Sequence, residues 1–408
     1  MGTEFLNIVE SNDAKKIIES FFNQLYALES ENIPVKNSYN RIAFQDIYSE
    51  IELPLFDKAI MDGYAIKAED SFGASGNKPK VLKCIDSIGA GSNSEKTLKN
   101  GECIEISTGA PIPKGADAVV MVEYSEKIED SNDIAIFKSL APNINIAKKG
   151  SDIKKGELIL RKGNILNPVK VGLLSAEGIE NLDVFKKPKV SIISTGNELL
   201  NQSEKLKPGK IYDINTNLIK GAVLSSGGKV NIKGIVNDNY NKLKNMIEES
   251  VQESDIIICS GGTSAGVGDI LKKVIDELGE IIIHGISIKP GKPTLVGRIK
   301  YKLIIGLPGN PVSAILIYYI LIDLNIKAMT GSSEKNTIKR KQYKLAKRIH
   351  SAKGRMEYHL VEIKDNEIYP IIKDSGAIAS LSFSDGYIKI PKFVEMIDAE
   401  EIVEVNLF

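Results

Sequence analysis

Four short polar turns in this chain could together build an anion and metal site: Thr195-Gly196-Asn197-Glu198, Asn237-Asp238, Ser260-Gly261-Gly262-Thr263-Ser264 and Leu307-Pro308-Gly309-Asn310-Pro311. Each follows a run expected to be a strand. In an open parallel sheet the strand-to-helix turns converge on the edge where ligands bind. One glycine turn is ordinary punctuation, but four that converge argue for a ligand. The segment from Ser260 to Gly268 supplies amides and hydroxyls ahead of a helix, and a helix start attracts phosphate through its unpaired N–H groups. Glu198, Asp238 and Asp269 fall on the same edge. Three carboxylates suit a hard divalent cation such as Mg²⁺, which takes oxygen ligands and bridges phosphates, although Asp269 at a helix start would serve equally as an N-cap. No G-x-x-x-x-G-K-[ST] loop stands at this position, which argues against an ordinary NTPase. In Ile288-Lys289-Pro290-Gly291-Lys292-Pro293, two ammonium groups lie three residues apart on a proline-stiffened turn. Isolated lysines are mostly solvated surface groups, but a turn beside this edge makes anion binding the expected role.

Composition narrows the chemistry further. Only three histidines are present, so a multi-histidine transition-metal cage is not expected. Three cysteines, Cys84, Cys103 and Cys259, lie far apart without C-x-x-C spacing and read as free thiols in a reducing cytoplasm. The 53 Lys and Arg balance 53 Asp and Glu, so the global basic excess that drives nucleic-acid binding is absent. The first residues lack the basic and apolar regions of a secretory signal. The longest apolar stretch, Ala314 to Ile322, falls short of the roughly 20 residues of a membrane span and reads as a buried core helix.

These groups need a scaffold, and 408 residues are enough for two to four domains at roughly 100–200 residues each. Ala14, Ile17, Ile18, Phe21, Phe22, Leu25 and Leu28 recur at helical spacing, which predicts an opening amphipathic helix. From about Ile51 to Ala141, short β-rich runs broken by glycine and proline predict a small β domain. Asn143 to Gly156 is a polar connector, followed by an apolar helix over Val169 to Glu177. After Pro188, strands and helices alternate: strands at Val190–Ser194, Lys229–Val236, Ile256–Cys259, Glu280–His284 and Leu303–Gly306, helices at Leu218–Ser226, Leu243–Val251, Ile270–Leu278 and Val312–Met329. That alternation predicts a parallel sheet covered on both faces. Beyond Gly331, five runs (Lys344–His350, Glu357–Ile363, Glu367–Ile372, Tyr387–Ile390 and Glu401–Val405) predict a small antiparallel barrel or sandwich.

Several motifs together resemble the signatures of the molybdopterin molybdenumtransferase family. They are Leu53-Pro54-Leu55-Phe56-Asp57 with Met61-Asp62-Gly63-Tyr64-Ala65, and Ser107-Thr108-Gly109-Ala110-Pro111-Ile112-Pro113 with Gly115-Ala116-Asp117-Ala118-Val119-Val120. Ser194 to Leu199, Ser260-Gly261-Gly262, Lys289 to Pro293 and Leu307 to Pro311 follow in family order over nearly the whole chain. The resemblance implies a multidomain α/β and β protein with a doubly wound, parallel-sheet pterin-binding domain at 186–330. It adds an elongated helical and extended dimerisation module at 1–50 plus 143–185, a β-rich insert at 51–142 and a barrel-like β domain at 331–408. It implies a homodimer that inserts molybdenum from molybdate into adenylylated molybdopterin, with Mg²⁺ as cofactor and release of AMP, and contact with a molybdopterin adenylyltransferase. Membrane and nucleic acid are not expected partners.

By the same resemblance Glu198, Asp238 and Asp269 hold the metal and do chemistry together with Asp62 and Thr108, which approach from a partner subunit. Thr195, Gly196, Ser260, Gly261, Gly262, Ser264, Pro308, Gly309 and Asn310 bind the pterin and phosphate. Lys289, Lys292, Arg355, Ser375 and Ser380 hold the oxyanion, and Lys and Arg suit a compact dianion. The chain departs from the family pattern at Asn197, where a second acid is common, and at Ala59, Ala147, Ser151 and Gly285. Two alternatives stay open: a scaffold or clustering protein of the same fold, and molybdopterin adenylyltransfer, which would engage only the α/β segment.

Overall fold

The computed structural model describes residues 8–25, 28–261, 268–333, 339–352, 354–371 and 378–408. The chain divides into two compact units: residues 1–44, 162–167 and 181–408 form one, and residues 45–161 with 168–180 form the other.

In the larger unit a six-stranded sheet runs in the order Lys229–Val236, Lys189–Thr195, Ile256–Ser260, Lys302–Leu307, Leu295–Ile299, Glu280–His284. Its strands bury both faces. Ile192, Ile256, Ile258, Leu303 and Ile305 join one core, while Ile193, Ile257, Cys259 and Ile304 join the other. Successive side chains of a strand point to opposite faces, so near-continuous apolar runs are what a sheet covered on both sides requires. Helices Tyr240–Glu253 and Gly268–Leu278 cover one face. Helices Asn215–Ser225 and the run from Pro311 to Met329 cover the other. That last run is long and apolar enough to cross a membrane by length and composition, yet it is packed within the core, with a single π turn over Tyr318–Ile322. The N-terminal helix, Ser11–Leu25, packs Ala14, Ile18 and Phe22 into the same core.

Two sequence expectations are corrected here. The sheet is parallel only through Lys302–Leu307; Leu295–Ile299 and Glu280–His284 are joined antiparallel. The chain reverses over Lys300 and Tyr301, a connection too short for the crossover that a parallel pair needs. A strand at Ile286–Lys289 was not expected, because its pairing lies outside the α/β domain: it runs parallel to Met356–Lys364 of the C-terminal region.

That C-terminal region closes on itself as a five-stranded barrel of Met356–Lys364, Glu367–Pro370, Arg340–Leu345, Ile402–Leu407 and Gly386–Ile390, because Gly386–Ile390 returns to pair with Met356–Lys364. Leu345, Val361, Ile368, Ile388 and Val405 fill its interior. The run expected as one strand over Lys344–His350 is two: the barrel strand ends at Leu345, and Ile349–His350 pairs separately with Met396–Ile397.

The smaller unit is built on a six-stranded sheet in the order Ala118–Met121, Gly63–Ile66, Glu102–Ile106, Lys80–Ile88, Asp133–Ile136, Ser125–Lys127. The helix Pro168–Ala176 belongs to it.

Candidate active site at the strand ends

Parallel register brings the polar turns to one edge. Ser194 lies opposite Ser260, Thr195 opposite Val236, and Ser260 opposite Leu307, so the turns after these strands share a rim. Glycine is demanded at one point of that rim. A Cβ on Gly261, where φ is +85°, would stand 2.3 Å from the carbonyl oxygen of Thr195. The two strand ends can therefore close on each other only without a side chain there. At Gly196 the neighbour is the Glu198 carboxylate, which folds back over the turn. Gly261 N–H donates to the Leu307 carbonyl at 3.2 Å, and Asn215 Nδ2 donates to the Gly309 carbonyl at 2.8 Å.

A cleft of about 700 Å³ opens on this rim, bounded on the polar side by Thr195, Glu198, Asn215, Ser260, Gly309 and Asn310. Leu199, Leu206, Ile211 and Tyr212 give it an apolar wall. Two buried polar atoms of its lining residues, Ser260 Oγ and Asn215 Oδ1, have no hydrogen-bond partner among the described residues. Leaving a buried polar group unpaired costs roughly 1–3 kcal/mol, which singles out these two atoms as candidate ligand contacts. Asp213, also at the cleft, is already committed. It accepts from Thr216 N–H at 3.1 Å and Thr216 Oγ1 at 2.6 Å, as a cap for the Asn215–Ser225 helix.

The acids gather beside the cleft. Asn197 Nδ2 donates to Asp238 Oδ2 at 2.6 Å, while Asp238 N–H donates back to Asn197 Oδ1 at 3.1 Å. Asp238 Oδ1 is buried without a partner among the described residues. Burial, and then the charge of Glu198, push the Asp238 carboxyl above the usual carboxylate range. Two of the three expected metal ligands are thus neighbours. The third, Asp269, belongs to the helix beginning at Gly268, but its side chain lies outside the described residues, as do Gly262 and Ser264. Among the described residues no set of three or more His, Cys, Asp and Glu stands ready for a metal.

On the oxyanion side, the parallel pairing of Ile288 with Met356 and Lys289 with Glu357 brings the lysine turn to the segment that starts at Arg355. Lys289 Nζ donates to Glu357 Oε1 at 3.0 Å. Glu357 is almost fully buried, yet the Lys289 side chain remains 55% exposed. Ala352 N–H and His359 Nε2 also reach the Glu357 carboxylate, at 3.2 and 3.1 Å. Burial would raise that carboxyl, but the bonds from Lys289, Ala352 and His359 together hold it below its ordinary value. Arg355 and Lys292 are exposed, and Ser380 is buried in the short helix Ala379–Ser382. Ser375 lies outside the described residues.

In the smaller unit, antiparallel pairing of Gly63 with Ile106 sets Asp62 beside Thr108. Asp62 Oδ1 accepts from Thr108 N–H at 2.7 Å and Thr108 Oγ1 at 3.0 Å, which holds the exposed carboxyl below its usual range. Gly63 is required at this crossing, since a Cβ would stand 1.9 Å from the Val120 carbonyl oxygen.

Sequence reasoning missed Asn215, the Asn197–Asp238 pairing and Glu357. Asn215 sits in a D-x-N-T helix start, a signal for capping rather than for ligand binding. Glu357 becomes visible only through a strand pairing 68 residues apart in sequence.

Known proteins resemble this chain along its whole length. Residues 9–178 match the family described as MoeA N-terminal region (domain I and II), 191–327 the probable molybdopterin binding domain, and 342–408 the MoeA C-terminal region (domain IV). A molybdopterin biosynthesis protein of Methanocaldococcus jannaschii is 37% identical over 98% of both chains. A molybdopterin molybdenumtransferase of Staphylococcus aureus is 35% identical over 78% of this chain and 76% of its own. Two crystal structures of molybdopterin biosynthesis MoeA proteins from Pyrococcus horikoshii superpose with TM-scores of 0.83 and 0.79, at 40% and 31% identity. Each covers 98% of this chain, against 99% and 100% of its own.

Proposed function

The chain belongs to the molybdopterin molybdenumtransferase family and acts in molybdenum cofactor biosynthesis, and from that premise we propose that it inserts molybdenum from molybdate into adenylylated molybdopterin with release of AMP. The observation that carries the reading is the cleft of about 700 Å³ lined by Ser260 and Asn215, whose Oγ and Oδ1 atoms are buried without a hydrogen-bond partner among the described residues. Its mixed lining suits a flat heterocycle bearing phosphate: the apolar wall packs the ring system, and the polar side lined by Thr195, Asn215, Ser260 and Asn310 faces its hydrogen-bonding edge.

The donor set fits Mg²⁺. Asp238 offers a buried, unpartnered oxygen, and Glu198 beside it makes that carboxylate's charge costly until a cation arrives. Asp238 and Glu198 would hold the ion, with Asp269 as the third acid on the edge. When bound, Mg²⁺ neutralises the phosphate oxygens and eases departure of AMP. Asn197 fixes the Asp238 rotamer through its two reciprocal bonds. Lys289, Lys292 and Arg355 gather the molybdate dianion, and Ser375 and Ser380 donate hydrogen bonds to it. Lys289 is shared with buried Glu357, which competes with the dianion for its ammonium.

The remaining parts of the reading rest on family resemblance. The protein works in the cytoplasm as a homodimer, Asp62 and Thr108 serve the partner subunit's site, and the substrate arrives from a molybdopterin adenylyltransferase. The module divisions at 51–142, 186–330 and 331–408 follow the same resemblance. An assay that follows ATP consumption and AMP release in parallel tests the reading against adenylyltransfer. AMP released from adenylylated molybdopterin without ATP use supports it, and ATP-dependent turnover of molybdopterin refutes it.

A further inference from the structure

Cys84 and Cys103 are 19 positions apart in sequence but directly opposite in the fold. They are register partners on the parallel strands Lys80–Ile88 and Glu102–Ile106 of the smaller unit. Neighbouring strands lie about 4.8 Å apart, inside the roughly 4.4–6.8 Å window of Cα separations that a disulfide spans. Both side chains face the same apolar cluster around Tyr64, Leu82 and Ile134, so their sulfurs converge. A bulge follows at Ile85, where the register slips before Asp86 meets Ile104, which gives the pair local freedom to adjust. The two thiols are not equivalent. Cys103 is buried. Cys84 is half-buried and borders a surface cavity of about 310 Å³, lined also by Glu105, Lys127, Ser131 and Asn132.

We propose that Cys84 and Cys103 form a redox-active dithiol that exchanges with low-molecular-weight disulfides, Cys84 being the attacking sulfur and Cys103 the resolving one. The Cys84 thiolate attacks one sulfur of the disulfide RSSR, forming a Cys84–SR mixed disulfide and releasing RS⁻. Cys103 then loses its proton and attacks the Cys84 sulfur, closing the protein disulfide and expelling the second RS⁻. Two protein thiols are oxidised, one RSSR is reduced to two RSH, and the two protons end on the released thiolates. The local electrostatics favour this order. The hydrogen bond from Cys103 draws the Cys84 thiol down to about 6 against the opposing effect of burial, with help from the backbone at Glu105, while the thiol's own bond to the Asp86 carbonyl at 3.4 Å favours the protonated form. The same hydrogen bond, then burial, push Cys103 far up. Glu105 opposes the Cys84 thiolate, while Lys127 and Tyr64 also face it. Once Cys84 is capped as a mixed disulfide, the thiolate that suppresses Cys103 is gone, and the resolving step becomes accessible. Cys259 serves as an internal control: it is fully buried in the other unit, and burial pushes it up to about 12.

The test is thiol counting and mass spectrometry on the full chain, kept native at neutral pH with glutathione disulfide as the probe. The expected result is a fall from three free thiols to one, no retained glutathione, and a peptide linking Cys84 to Cys103. Cys103→Ala, with its fold checked by its melting transition, should instead retain one glutathione on Cys84. Cys84→Ser should keep both remaining thiols. Three thiols persisting in the native chain, a stable glutathione adduct on Cys84 beside a free Cys103, or a crosslink involving Cys259 would each overturn the proposal. None of these readouts depends on the enzymatic reading above.

Discussion

Asp238 sits where burial and the neighbouring Glu198 both oppose its ionisation. A carboxyl raised in the folded state binds its proton more tightly there than in the unfolded chain. Its contribution to stability is therefore present in acid, below the unfolded value, and is lost as pH rises through the folded value. At neutral pH the ionised group opposes folding, a cost that the proposed cation would relieve. Asp238→Asn should leave the metal-free protein at least as thermostable as wild type at pH 7.5, while lowering activity by about 100-fold. Calorimetry beside a turnover assay checks both, and a melting temperature well below wild type would make Asp238 a structural acid. Asn197 makes a different prediction, because it touches the acid rather than the ion. Asn197→Ala should raise the Mg²⁺ concentration for half-maximal activity by about 10-fold, as loss of a group orienting a metal ligand typically does, with little change in rate at saturating Mg²⁺. A magnesium titration of the variant decides it, and an unmoved curve would reduce the Asn197–Asp238 pairing to a surface contact.

At the scale of elements, the site depends on strand ends packed too closely for a side chain at Gly261. Gly261→Ala forces a Cβ against the Thr195 carbonyl in a left-handed backbone conformation. It should cost about 2–4 kcal/mol and abolish nucleotide binding, which denaturant unfolding and calorimetric titration would show. The Lys289–Glu357 pair predicts opposite effects for its two members. Lys289→Ala should destabilise by less than the ~3–5 kcal/mol typical of a fully buried pair, since Ala352 N–H and His359 still serve the carboxylate, and should raise the molybdate requirement. Glu357→Gln should lower that requirement by releasing the ammonium. Equal shifts in one direction for both variants would remove Lys289 from oxyanion binding. The strands Lys229–Val236 and Glu280–His284 were legible to the residue, because their β-branched runs each open after a glycine, even though they lie at the two edges of the sheet and only Val236 and Ile283 are buried there. Ile286–Lys289 was not, because what makes it a strand is a partner in the C-terminal barrel. The same holds for the site. Gly196, Gly261 and Asp238 announce themselves as turn residues, whereas Asn215, Glu357 and the Cys84–Cys103 pair acquire meaning only from residues far along the chain.

For the whole molecule, the expectation of a shared site makes an arithmetic prediction. Mixing Asp62→Ala with Glu198→Ala subunits after dissociation should restore about a quarter of wild-type activity: half the dimers are mixed, and each mixed dimer has one intact site. Heterodimers without recovery would confine each site to one chain. The reaction itself is tested most directly by following AMP in a single turnover of the wild-type protein with adenylylated molybdopterin and Mg²⁺, as molybdate is raised from zero. The account predicts AMP release that requires both ions, saturates with molybdate and stops when Mg²⁺ is chelated. AMP release indifferent to molybdate, or none at any concentration, would contradict it.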